Sequence, residues 1–217
     1  MDKLKKKSRA HVVYKLQDGT RIPGTTTITG LLNKPYLIKW ANDLGLQGID
    51  CNAYRDELAD VGTLAHAMVQ AHLQGETVDT DDYSKHQQDL AENSVLSYLA
   101  REQGHKIRPL LCETPLVSET WRYGGTVDCY CELDGVPTLL DFKTSKAVYS
   151  DYFLQLSAYK QLLEEAGYPV KSCRILRIGR EESEGFEERV LTNLDKYLQV
   201  FTNLLDIYYL KKELKWE

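Results

Sequence analysis

No stretch of this chain is apolar for long enough to cross a membrane, and the first residues, MDKLKKKSRAHVV, lack the apolar core of a signal peptide. The expectation is a cytoplasmic or nucleoid-associated protein with no membrane partner. Cysteine is sparse: Cys51, Cys112, Cys129, Cys131 and Cys173 are an odd number with no C-x-x-C spacing, which argues against a disulfide framework or a zinc site. Positive charge is not in excess either. Lysine and arginine number 27 against 32 aspartates and glutamates, a net charge of -5. That balance argues against nucleic-acid binding by bulk charge but leaves room for a local basic channel. A basic run at Lys3, Lys5, Lys6, Lys7 and Arg9 could touch a phosphate backbone, although such runs are as a rule solvated tails. Internal repeats and linker-like low-complexity segments are missing as well. What remains is 217 residues, 42% hydrophobic and 27% charged, enough for one domain with a full core and a helical elaboration of it.

The densest signal lies between Gly124 and Lys146, GGTVDCYCELDGVPTLLDFKTSK. Two strand-like runs meet there at Asp134-Gly135, a strong hairpin cue. With a two-residue loop, Leu133 faces Val136 and Asp128 falls opposite Asp141, in the closer, non-hydrogen-bonded kind of pair. Like charges so placed repel, which calls for a shared proton or a bound cation, and a divalent cation is the simpler answer. Alternation puts Lys143 on the face of Asp141, opposite Thr126, while Leu140 and Phe142 point into a core. Cys129 and Cys131 take the face away from Asp128, beside Val127 and Leu133, as small buried hydrophobes. Two acidic oxygens suit a hard cation such as Mg²⁺, and an adjacent ammonium can orient a water and stabilise negative charge, a set suited to phosphodiester hydrolysis. The bland alternative is a solvated hairpin face, since a D-x-K triplet arises by chance on the order of once in a protein this size. A second such triplet with a glutamate, Glu213-Leu214-Lys215, ends an expected helix, where no strand aligns the side chains.

Upstream, HVVYKLQDGTRI (11–22) alternates about Asp18-Gly19 and reads as another hairpin. The threonine run after Pro23-Gly24 is placed to cap a short helix, ITGLLNK. Pro35 suits the first turn of a helix through Tyr36, Leu37, Trp40 and Leu44, whose aromatics read as packing in preference to base stacking. Helical spacing from Asp56 to Leu73 places His66 one turn beyond Gly62, where the glycine permits close approach of another backbone. A lone helical histidine is ordinarily structural, with metal ligation the alternative. A helix from Lys85 to Gln103 makes the first hundred residues mostly helical, a cap or arch before the sheet. Strands follow at 110–118, 122–133 and 136–144, and Glu113 on the first either adds a third carboxylate or stands exposed. Ser150 or Asp151 caps a helix ending at Gly167, on which Gln155 and Tyr159 share a face and could bond a substrate phosphate or a water. Tyr159 reads equally well as core. Strands at 171–179 and 186–192 and a last helix complete the order β-β-β-α-β, an α/β or α+β domain around a mixed sheet.

Taken in order, Gly62-x3-His66, Glu113, Gly125-Thr-Val-Asp128, Asp141-Phe-Lys143-Thr-Ser and Gln155-x3-Tyr159 resemble the PD-(D/E)XK nuclease superfamily, in its RecB-type branch, over about 95 residues. The stretch TTTITGLLNKPYLIKWANDLG is similar, more weakly, to phage exonucleases and the mitochondrial genome maintenance exonuclease. The resemblance implies a restriction-endonuclease-like catalytic core over about 106–217, its central mixed sheet flanked by helices. Before it, over about 1–105, would come the N-terminal hairpin and a helical arch. It implies that His66, Asp128 and Asp141, with the main-chain carbonyl of Phe142, ligate Mg²⁺ or Mn²⁺, and that Glu113 is an outer or occasional ligand. Lys143 would position the attacking water, and Gln155 and Tyr159 would orient Lys143 and the scissile phosphate. The implied partner is DNA, its single-stranded ends threading through the arch, in replication, recombination or repair. Two departures stand out. Only Cys173 follows Tyr159, so an iron–sulfur cluster needing three cysteines near the C-terminus is not expected. Val127 stands where the namesake proline would be, a substitution common in this branch. The leading expectation is a metal-dependent DNA exonuclease. Its rivals are a structure-specific or nicking endonuclease of the same fold and a non-catalytic DNA-binding protein on a nuclease scaffold.

Overall fold

The turn at Asp134-Gly135 sets the register of the sheet. A computed structural model describes residues 12–216, so the basic run from Lys3 to Arg9, and His11 at the head of the expected first hairpin, lie outside the described residues. Asp134 and Gly135 have φ of 52° and 82°, the two positive values that a tight type I′ turn requires. Leu133 accordingly pairs with Val136 and Cys129 with Leu140, in the expected register. The elements in chain order are α1 (Thr25–Thr29), α2 (Pro35–Leu46), α3 (Cys51–Gln74), α4 (Lys85–Glu102), β1 (Ile107–Ser118), β2 (Tyr123–Leu133), β3 (Val136–Lys143), α5 (Ser150–Glu165), β4 (Ser172–Ile178), β5 (Phe186–Leu191) and α6 (Asp195–Glu213). The five strands form one sheet in sequence order, antiparallel except where α5 carries the chain over to set β4 parallel to β3. It is a mixed sheet flanked by helices, as the element order implied.

Alternation along β3 divides the core in two. Leu139 packs under α5 and α6 with Ile175, Leu163 and Phe201, while Leu140 and Phe142 pack under α3 and α4 with Val69, Tyr98 and Leu176. Each fully buried leucine contributes about 1.5–3 kcal/mol of transfer free energy. Thus α3 and α4, expected as parts of an arch, form the second flanking layer of the sheet. Helix α2 is different, because Leu44 is its one buried residue and Ile38 is 72% exposed. None of the described helices is long and apolar enough to cross a membrane.

Several boundaries differ from the sequence reading, each for a local reason. Among the described residues the N-terminal hairpin is reduced to a single bridge, Lys15 to Arg21. The threonine run is itself the helix α1 and does not cap a later one. Its Thr25 hydroxyl donates to the Gly124 carbonyl at 3.0 Å and Ile28 is fully buried, so tertiary contacts override the weak helix preference of β-branched residues. Helix α3 begins at Cys51 because the Asp50 carboxylate accepts from the N–H groups of Asn52 and Ala53. Neither Ser150 nor Asp151 caps α5. Tyr149 holds that position without a side-chain bond, and Asp151 is drawn instead to Lys34 at 2.6 Å.

Candidate active site

Cys112 pairs with Cys129 and Thr114 with Val127, which leaves Glu113 and Asp128 facing each other between two paired positions. Glu113 has φ of 44°, a left-handed backbone that is costly for a side chain of this size and breaks the pleat of β1. The pleat of β2 slips at the same level. Val127 and Tyr130 pack under α5 and α6, whereas Cys129 and Cys131 pack on the α3 and α4 side. Val127 therefore does not share the face of Cys129 as strict alternation required. The two cysteines are buried as expected.

Beyond Cys129 and Leu140 the ladder between β2 and β3 ends. Leu140 is bonded across to β2, so the N–H of Phe142, two residues on, points the same way and needs an acceptor. Asp128 Oδ2 supplies it at 2.9 Å. Asp128 and Asp141 thus sit at a splayed strand end, not as a continued cross-strand pair. The carboxylate of Asp141 is fully buried, with Lys143 Nζ 2.7 Å from its Oδ2. Burial pulls the Lys143 pKa down, but Asp141 and Asp128 outweigh it and hold the ammonium above the usual lysine value. Lys143 is therefore a cation here, suited to orienting and stabilising charge and not to accepting a proton.

Helix α3 reaches the site because it can pass close to β3. A Cβ on Gly62 would lie 2.9 Å from Thr144 Oγ1, just past the end of that strand. One turn later His66 sets its ring edge-on to Phe142 and its Nδ1 3.7 Å from Asp128 Oδ2. The result is a cluster of His66, Glu113 and Asp128 whose ligand atoms lie within 4.8 Å of one another. Donors bound to one divalent ion at about 2.0–2.6 Å can be at most about 5 Å apart, so one imidazole and two carboxylates at this spacing fit such an ion. Asp141 lies outside that trio, held against Lys143.

Helix α5 supplies the rest. Gln155 Nε2 donates to the Tyr159 hydroxyl at 2.7 Å, and the Tyr159 ring lies so close to β2 that a Cβ on Gly125 would meet it at 2.5 Å. Burial, reinforced by Asp128 and Asp141, raises the Tyr159 pKa well above that of a free phenol, so its O–H stays a donor. His66, Glu113, Asp128, Lys143, Gln155 and Tyr159 all line one cavity of about 620 Å³. Thr126, expected opposite Lys143, lines it too, as do Tyr14 and Arg21, which sequence reasoning missed. The neighbouring glycine was the available signal, because the Tyr14 ring occupies the space that a Cβ on Gly124 would need, and its hydroxyl lies 2.9 Å from that of Thr126.

No protein-family model and no curated protein matches the chain. Among solved structures, a candidate exonuclease from Eubacterium rectale is similar with 14% identity and a TM-score of 0.45, over 68% of this chain and 64% of that one. The chain thus spans less than two thirds of that protein's length. An alkaline exonuclease from Laribacter hongkongensis is similar with 13% identity and a TM-score of 0.36, over 72% of this chain and 90% of that one. The same exonuclease in complex with dAMP gives 13% identity and a TM-score of 0.34, over 69% and 83%. What the chain does is read from the geometry of its own site.

Proposed function

We propose that this protein is a metal-dependent deoxyribonuclease that hydrolyses phosphodiester bonds as an exonuclease on single-stranded ends. The observation that carries the reading is one cavity in which an imidazole and two carboxylates converge beside a buried Asp141–Lys143 pair and the Tyr159 hydroxyl. His66, Glu113 and Asp128 would hold Mg²⁺ or Mn²⁺. Asp141 and the Phe142 carbonyl, which shares a side of the strand with the N–H bound to Asp128, would complete the set. A divalent ion bound there supplies Lewis-acid stabilisation of the charge that builds on the phosphoryl oxygens.

The chain's own groups do the rest. The Lys143 ammonium, fixed by Asp141, orients the attacking water and offsets the growing negative charge. Gln155 donates to the Tyr159 oxygen, which leaves the phenolic hydrogen to donate to a non-bridging phosphate oxygen. Attack by water on phosphorus displaces one ester oxygen and leaves a phosphomonoester and a hydroxyl. DNA replication, recombination or repair, in the cytoplasm or at the nucleoid, is the setting that such an activity suits.

End-labelled linear single strands, circular single strands, duplexes and RNA, each with Mg²⁺, Mn²⁺ or chelator, provide the test. Linear single-stranded DNA should shorten from an end only when the metal is present. Cleavage of circles would replace the exonuclease reading with an endonuclease, and metal-dependent thermal stabilisation without any cleavage would leave a binding protein on a nuclease scaffold.

A further inference from the structure

A second cavity, of about 610 Å³, opens between α2, the start of α3 and the start of α5. It adjoins the first through Tyr152, which lines it and whose ring lies 5.0 Å from Lys143 Nζ. Its aromatic lining is dense: Tyr36, Trp40, Tyr54, Tyr149 and Tyr152 all face it, in a chain that is 10% aromatic. Packing accounts for them only in part: Tyr152 packs against the main core, whereas those on α2 do not. Helix α2 buries only Leu44, and Tyr36 stays 46% exposed although its ring lies parallel to that of Tyr149 within 2°, at 5.5 Å. Trp40, one turn beyond Tyr36, leans on Tyr54 at 6.2 Å.

The charge of the lining is just as one-sided. Lys34, Arg55, Lys146 and Arg180 face a single acid, Asp151, and Lys34 neutralises it at 2.6 Å. Arg55 is paired at the surface with Asp56. Arg180 is only 6% exposed and is paired with Glu184, whose carboxylate accepts the Arg180 backbone N–H at 2.8 Å and lies 3.5 Å from its guanidinium. Exposed Lys146 is thus the cation that the cleft offers beside its aromatic faces, in a protein of net charge -5.

We propose that this cleft is a stacking subsite for single-stranded nucleic acid. Unpaired bases lie on Tyr36 and Trp40 while the sugar-phosphate backbone runs over Lys146 toward Lys143. Bases in a duplex have their faces already covered by neighbours, so such a platform selects unpaired strands. The proposal rests on the nuclease reading for the fate of the strand, though not for its binding.

The test is binding of a fluorescently labelled oligothymidylate to the full chain in chelator, read by anisotropy, alongside steady-state cleavage with metal. Tyr36→Ala and Trp40→Ala should each weaken single-strand binding on the order of tenfold and raise KM in step, with kcat within about twofold of the parent. Tyr36→Phe should restore binding, because it keeps the ring. An abasic nucleotide at the stacked position should weaken binding to the parent protein but add nothing to the loss in Tyr36→Ala. Tyr36 is half exposed on a loosely packed helix, so its removal spares the fold, as an unchanged melting temperature would show. Parent-like affinity in Tyr36→Ala/Trp40→Ala would overturn the stacking subsite, even if cleavage is intact. Ring-dependent binding without cleavage would uphold it and reject the nuclease reading alone.

Discussion

Replacing Gly125 by alanine tests the site through its closest packing. The added methyl would lie 2.5 Å and 2.9 Å from Cε1 and Cδ1 of Tyr159 and 2.8 Å from Thr25 Oγ1. Carbon atoms rest about 3.5–4.0 Å apart, so the phenol ring has to retreat by about 1 Å. Overpacking of this kind costs about 1–3 kcal/mol. In a chain of this size that is a fall in melting temperature of about 2–12 °C. The ring cannot retreat without disturbing its 2.7 Å bond from Gln155, and a displacement of about 1 Å in a catalytic group can cost on the order of 100-fold in rate. The expected outcome of Gly125→Ala is therefore a folded, modestly destabilised protein with a disproportionate loss of kcat. Thermal denaturation and turnover should be measured in Gly125→Ala, Tyr159→Ala and the double variant. If the ring is the obstacle, the stability cost of the methyl should shrink by at least about 1 kcal/mol once the ring is gone. An equal cost in both backgrounds, or a Gly125→Ala protein with parent-like turnover, would refute the reasoning.

Two further outcomes follow from buried charge. Lys143→Ala should abolish cleavage and, in chelator, also cost about 3–5 kcal/mol of stability, because it takes the ammonium away from a fully buried Asp141 carboxylate. Added divalent cation should recover part of that loss in urea denaturation, and an inactive Lys143→Ala of parent-like stability in chelator would contradict the buried pair. Glu188 sets an acid limit on the fold. Burial pushes its carboxyl up, but hydrogen bonds from Arg101 and Arg174 pull it further down, so its folded pKa lies below the ordinary 4.5. A lowered folded value means that the stabilisation is fully present above the ordinary pKa and is lost as pH falls through the folded one. Glu188→Gln should be less stable than the parent at pH 7, with the gap narrowing below about pH 4.5, as urea midpoints across pH would register.

Much of the architecture could be read from local patterns. Asp134-Gly135 announced the hairpin and its register as far as Cys129 and Leu140, because a two-residue turn with two positive φ values admits one pairing. The Gly62 to His66 and Gln155 to Tyr159 spacings put each pair on one helix face, since the helical repeat is a local property. The site's finer shape was not legible in the same way. Nothing local marks Glu113 for a left-handed backbone or Asp128 for a slip in the pleat. Each arises where two strands must bend together, and Glu113 joins His66 and Asp128 only because of it. Asp151 read as a cap until Lys34, 117 residues away, took it. Tyr36 read as packing, and is 46% exposed, because an amphipathic pattern cannot tell a helix that packs from one left beside a cleft.

By itself, then, the order of residues determined most of the elements, the register of the central hairpin and which side chains share a helix face. Those depend on turn chemistry and on repeats of 3.6 and 2 residues, which act over a few positions. Tertiary structure alone decided that a histidine from α3, a glutamate from a strained point of β1 and an aspartate at the splayed end of β2 meet around one small volume. It also decided that Tyr36 of α2 stays half exposed to solvent. The first outcome depends on how close helix and strand can approach, and that distance is set by glycines and rings from segments far apart in the chain.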